Sequence, residues 1–206
     1  MSKMLNKGRY RVIKSKISPS SNNGQYALKR VLGEAVQLHC FLYADGHDLI
    51  RGRVLWKHSD HETWQHVDLK QGEEDAFSAK MHFNEIGAYE YKVQAWVDLG
   101  LSWLNRVALE FAHNQDLEVL IKDGRSYLEA LVEAKHPKAK SWLKACEENY
   151  LKAAEILQEE EVRKAFIAHP IMDVISESDT HKAYCDRKKA GFSSTYELFP
   201  RSTGKD

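Results

Sequence analysis

Cysteine is scarce: the chain of 206 residues has three, Cys40, Cys146 and Cys185. They are scattered and odd in number, which excludes a disulfide framework and any familiar metal-ligand spacing. Reduced thiols in a cytoplasmic protein are the expectation, because disulfides follow the oxidising compartments. Prolines fall singly, and no internal repeat or low-complexity tract is present. No apolar run approaches the ~20 residues that span a bilayer. The stretch Met1–Gly8 carries charge without an apolar core behind it, so it does not read as a secretory signal. Charge of one sign is also missing, with 30 Lys+Arg against 30 Asp+Glu. That balance speaks against nucleic acid and anionic membrane surfaces, both of which favour a basic face. Finally, there is no nucleophile elbow, no glycine loop of the phosphate-cradling kind and no His-Glu-x-x-His.

What is present divides into two textures. From about residue 9 to 98, β-branched and aromatic residues come in short runs closed by turn signals. Val36–Tyr43 is the clearest strand, with Val36, Leu38, Cys40 and Leu42 on one face and Phe41 and Tyr43 on the other. Tyr89–Asp98 alternates in the same way, with Tyr89, Tyr91, Val93, Ala95 and Val97 facing inward. About seven short strands at this spacing predict an antiparallel β-sandwich of immunoglobulin-like type. The fold class expected is therefore α+β, because the period changes after Asp98. Leu117, Leu120, Ile121, Tyr127, Leu128 and Leu131 form one helical stripe that Gly124 interrupts. Pro137 opens a second stripe, Ala139 to Leu157. Val162, Ala165 and Phe166 make a third, stopped by Pro170. Ser176–Thr180 is polar and reads as a loop. The expected organisation is a sandwich over 9–98, a helical-bundle insertion over 101–176 and a return to the sandwich over 181–194.

Few residue groups suggest chemistry. His58, His61 and His66 lie close together, with Asp60 and Glu62 between them. Such a set can ligate a metal, but it falls in an inter-strand connection with no second cluster, so a solvated hairpin is the reading and no metal or cofactor is expected. Asp45-Gly46-His47-Asp48 reads as a tight turn. Glu147, Glu148 and Glu159–Glu161 read as solvated helix faces. Glycoside chemistry needs two carboxylates flanking a bond in a cleft, and nothing specifies one, so no catalytic residue is assigned. Trp96 and Trp103 are the candidates for stacking on a sugar face or for packing at an interface, since aromatic rings serve both purposes.

Several phrases then carry a resemblance. Lys29–Glu34, Tyr43-Ala-Asp-Gly-His-Asp48, Gln94-Ala-Trp-Val-Asp98, Trp103 and Asp186–Ser202 occur in this order. Together they resemble the N-terminal region of the bacterial α-1,4-glucan:maltose-1-phosphate maltosyltransferases, members of the α-amylase superfamily, from about Arg9 to Ser202. The resemblance implies a β-sandwich with a helical insertion, followed by a catalytic (β/α)₈ barrel. It implies a parent enzyme that transfers maltosyl units from maltose 1-phosphate to an α-1,4-glucan with retention. The aspartate nucleophile and glutamate acid/base would lie on the barrel. It also implies a homodimer, in which this region helps to form the interface. Tyr196–Ser202 resembles the first barrel strand, so 195–206 would be the start of a barrel that this chain lacks. Tyr196 would then lie near the donor sugar in the whole enzyme. The family tends to have proline where Ala27 stands and an aromatic where Thr195 stands. The expectation is a non-catalytic accessory and dimerisation module, inactive alone. The alternatives are a glucan-binding module that anchors the enzyme on polymer and a free-standing interaction domain.

Overall fold

The computed structural model describes residues 11–20 and 24–192. Eight strands precede the helices: β1 (Val12–Ser18), β2 (Leu28–Val31), β3 (Ala35–Ala44), β4 (Ile50–His58), β5 (Gln65–Asp68), β6 (Lys70–Gln71), β7 (Ala76–His82) and β8 (Gly87–Val97). Six helices follow: α1 (Leu99–Ala112), α2 (Glu118–Asp123), α3 (Arg125–Glu133), α4 (Ala139–Glu148), α5 (Tyr150–Leu157) and α6 (Glu160–Ala168). Two strands, β9 (Ser176–Glu177) and β10 (His181–Asp186), return to the β-region, and a 3₁₀ turn spans Lys188–Phe192. The chain is thus α+β.

The strands form two sheets. One has the order β1-β3-β7-β6, and the other β2-β10-β8-β4-β5 with β9 alongside β8. Both sheets contribute to one apolar core. Val36, Leu38, Cys40 and Leu42 of β3 meet Tyr91, Val93, Ala95 and Val97 of β8 there, all at most 1% exposed. The period-2 alternation of these two strands is the cause: one face of each is apolar throughout and has to be covered. Burying each such Val or Leu contributes roughly 1.5–3 kcal/mol. Phe41 and Tyr43, on the opposite face of β3, stack on each other with ring centroids 6.2 Å apart and stay partly exposed.

Two features depart from the sequence reading. The expected purely antiparallel arrangement is mixed, because β10 runs parallel to β2 while pairing antiparallel with β8. And Ser176–Thr180 is not simply a loop. Its first two residues are β9, paired Gln94↔Glu177 and Ala95↔Ser176. Ser178 adds a reciprocal pair: its N–H donates to the Val93 carbonyl at 2.8 Å, and its hydroxyl accepts from the Val93 N–H at 3.0 Å. The segment is polar because its side chains join hydrophilic partners, with Glu177 bound to Lys92 at 2.9 Å. A strand of this kind carries no apolar alternation to read.

The helices enclose a second core. Leu101, Trp103, Leu104 and Val107 of α1 pack with Leu120, Ile121, Leu128, Leu131, Trp142, Leu157 and Phe166. Each expected long stripe is broken once. Gly124 separates α2 from α3, and Asn149 separates α4 from α5 by capping the latter, its side chain accepting from Lys152 N–H at 3.0 Å. Asparagine is a preferred N-cap because its short side chain satisfies an otherwise orphaned amide.

The three thiols are free and buried. Burial disfavours the thiolate, pushing Cys40 up to about 12 and Cys146 up to about 11, and Cys185 upward as well. At pH 8 the folded chain should therefore react with an aromatic disulfide reagent at least about tenfold more slowly than the chain in denaturant. A thiol titration that shows any of the three reacting promptly in the native state would contradict this.

Candidate functional site

The phrase Gln94–Asp98, which contributes to the family resemblance, is the joint between the two cores. Its last residue, Asp98, is fully buried and begins α1 as N-cap, accepting from Leu101 N–H at 3.0 Å. The cap's own N–H donates to the Leu49 carbonyl at 2.8 Å. Ser102, one turn on, donates its hydroxyl proton to the Asp98 carbonyl at 2.6 Å and accepts from Leu49 N–H at 2.8 Å. Arg51 of β4 closes the joint from the side. Its guanidinium donates to Asp98 at 3.3 Å, to Asp68 at 3.0 Å and to the Ile167 carbonyl of α6 at 3.1 Å. Burial pushes the Asp98 carboxyl above the usual range, against the opposing pull of the Leu101 amide and Arg51. Sequence reading did not single out Asp98, Ser102 or Arg51. The available signal was an aspartate directly before a helical run.

Trp96 lies two residues before Asp98, on the sheet face turned away from the inter-sheet core, directly opposite Arg51 in the ladder. The alternation of β8 suggested an outward ring, but it is 1% exposed. The guanidiniums of Arg51 and Arg53 lie 5.9 and 5.6 Å from its ring centroid, a cation–π arrangement. Arg53 donates onward to Gln94 at 2.7 Å, and Gln94 bonds Glu177 of β9. Trp103 is likewise buried, in the helical core. Its Nε1–H donates to the Leu120 carbonyl at 2.8 Å, and its ring meets Tyr127 and Phe166 edge-on. Neither ring shows a face to solvent on which a sugar can stack; both act here as packing groups. Tyr196 lies outside the described residues.

The other sequence candidates are placed as follows. In the Asp45–Asp48 turn, Gly46 has φ +81°, the left-handed region that glycine tolerates, and Asp48 pairs with Arg11 at 2.5 Å. His58, His61 and His66 separate. His66 sits on β5, whereas His58 and His61 meet with ring centroids 5.4 Å apart. Glu85, from the connection between β7 and β8, joins them, its carboxylate 3.7 Å from His61 Nε2. Nothing in the local spacing of the histidines points to Glu85, which is brought in by tertiary structure alone.

Comparison with known proteins covers nearly all of the chain. Residues 10–187 match the family model described as α-1,4-glucan:maltose-1-phosphate maltosyltransferase, domain N/S. A protein of that name from Methylacidiphilum infernorum is 28% identical over 204 residues, which are 95% of this chain and 30% of the relative. One from Myxococcus xanthus is 24% identical, covering 92% of this chain and 31% of the relative. One from Burkholderia pseudomallei is 25% identical, covering 95% of this chain and 18% of the relative. The chain thus spans about a third or less of the length of these relatives. With a family match running from β1 to the end of β10, the chain belongs to the domain N/S family of the α-1,4-glucan:maltose-1-phosphate maltosyltransferases.

Proposed function

We propose that this chain is the non-catalytic accessory module of a maltosyltransferase: an immunoglobulin-like β-sandwich carrying a helical insertion, which buttresses a catalytic barrel and contributes to a homodimer. One observation carries the reading. The match is to domain N/S and covers 10–187, whereas the chain spans only 30% of a relative such as that of Methylacidiphilum infernorum. The boundaries we assign are 9–98 for the sandwich, 101–176 for the insertion, 181–194 for the return and 195–206 for the start of the barrel. The return of β9 and β10 into the sheet that contains β8 supports an insertion, since the chain leaves that sheet at Val97 and re-enters it at Ser176. The Asp98–Arg51–Ser102 joint supports a buttress, because it ties the helices to the sheet through the buried Asp98 and Ser102 and the partly buried Arg51.

The whole enzyme, on this reading, moves maltosyl units from maltose 1-phosphate to an α-1,4-glucan with retention, using carboxylates on its barrel, and Tyr196 borders the donor sugar there. The three free thiols support a cytoplasmic setting, and no helix among the described residues is long and apolar enough to cross a membrane. The test is phosphate release from maltose 1-phosphate in the presence of glycogen. The purified chain should give none, and fusion to a relative's barrel region should restore it. Turnover by the chain alone would overturn the accessory assignment.

A further inference from the structure

The geometry points to a divalent-metal site formed by His58, His61 and Glu85, with zinc the best match, which pins the β4–β5 turn to the β7–β8 connection. This departs from the solvated hairpin that the sequence suggests. It stands apart from the accessory role, which depends on none of these residues.

One ligand atom from each of the three residues lies within 4.8 Å of the other two. Two imidazoles and a carboxylate form a donor set suited to a borderline ion such as zinc, which takes four ligands in a tetrahedron. Three protein ligands leave the fourth position to water, which the half-open side of the site admits.

The supporting hydrogen bonds fit a ligand role for His58. Its Nδ1 accepts from the Asp60 N–H at 3.2 Å, so that nitrogen carries a lone pair. The proton then sits on Nε2 and is donated to the Ile86 carbonyl at 3.3 Å. A ring N–H donated to a backbone carbonyl, with the other nitrogen left basic, is how proteins orient a metal-binding histidine. On metal binding Nδ1 exchanges the Asp60 amide for the ion. That amide belongs to a residue whose side chain is 86% exposed, so water is available to satisfy it.

The three groups are also held in place. His58 is buried, and Tyr89 packs edge-on against it at 5.0 Å between centroids. The Tyr89 hydroxyl accepts from Glu85 N–H at 3.0 Å, fixing the backbone of the third ligand. His61 N–H donates to the His58 carbonyl at 3.0 Å. Only the His61 and Glu85 side chains are half open to solvent, which gives the ion a path in. The ion would join a turn within one sheet to the crossover between the two sheets, because β7 belongs to one and β8 to the other.

The test uses the tag-free 206-residue chain, freed of metal by chelator dialysis and titrated with Zn²⁺ by calorimetry. Co²⁺ absorption provides a second readout. About one equivalent should bind saturably, with the strong visible bands of a tetrahedral site in the cobalt form. His61→Ala and Glu85→Gln replace exposed side chains and leave the core untouched. Each should weaken binding about tenfold or more and abolish the rise in Tm that Zn²⁺ gives the parent chain. His47→Ala, in the exposed turn after β3, should bind as the parent does. Non-saturating binding by the parent chain, or H61A and E85Q variants that bind Zn²⁺ as tightly as the parent, would overturn the proposal.

Discussion

Replacing Gly124 with alanine should lower stability by about 3 kcal/mol. An alanine between two helices is ordinarily an improvement of up to about 1 kcal/mol over glycine. Here φ is −81°, so the backbone does not require glycine. Space does. A Cβ at this position would lie 1.9 Å from Cε2 and 2.2 Å from Nε1 of Trp103. The ring cannot step aside, being 4% exposed, wedged against Tyr127 and Phe166 and bonded through Nε1 to the Leu120 carbonyl. Either that bond breaks or α2 and α3 move off α1. For a chain of this size the loss corresponds to a fall in Tm of roughly 6–12 °C. Urea denaturation followed by tryptophan fluorescence reads it directly. Trp103→Leu is destabilising by itself, by about 3 kcal/mol, because it leaves a cavity. In that background Gly124→Ala should cost nothing or stabilise, giving a coupling energy of about 3 kcal/mol between the two sites. If Gly124→Ala is neutral with Trp103 in place, the packing argument fails.

The same pair shows how far the sequence could be read. Gly124 stood out as an interruption in a helical stripe, and it is one, but its partner lies 21 positions earlier on another helix and no local period connects them. Strands β3 and β8 were legible because strict alternation leaves a single apolar face to bury. Trp96 misled for the same reason. Alternation placed it with Glu90, Lys92 and Gln94 on a polar face, but Arg51, Arg53 and β9 supply that face with partners, and the ring is buried. β9 itself was invisible because a polar two-residue strand has no pattern. The phrase ending in Asp98 was recognised as a family mark, whereas its work as cap and joint emerges only when Arg51 and Ser102 converge on it. The Tyr196–Ser202 phrase, which first suggested a barrel, lies outside the described residues, so the family assignment rests instead on the match over 10–187.

Asp98→Ala should destabilise the chain by about 2–3 kcal/mol, through two losses at one atom group. The α1 amide of Leu101 loses its acceptor, and Arg51, whose side chain is 17% exposed, loses its most buried partner. The cost stays below that of a fully buried broken pair because Arg51 keeps Asp68 and the Ile167 carbonyl. Asparagine separates the two losses. Its side-chain oxygen caps as well as aspartate does, so Asp98→Asn removes the charge and retains the cap. Burial raises the Asp98 carboxyl above its usual range, so the folded chain holds this proton more tightly than the unfolded chain. The sign follows from linkage: where the folded state binds more protons, stability falls as pH rises. The neutral acid's contribution is fully present below the unfolded value of about 3.9 and is lost as pH climbs through the raised folded value. Asp98→Asn, fixed in the neutral form, escapes that loss. Measured by urea denaturation at pH 4 and pH 7, its stability relative to the parent chain should be higher at pH 7, while Asp98→Ala should be the least stable at both. A relative stability of Asp98→Asn that falls between pH 4 and pH 7 would mean that Arg51 and the helix amides outweigh burial, and that the joint is held by charge rather than by its cap.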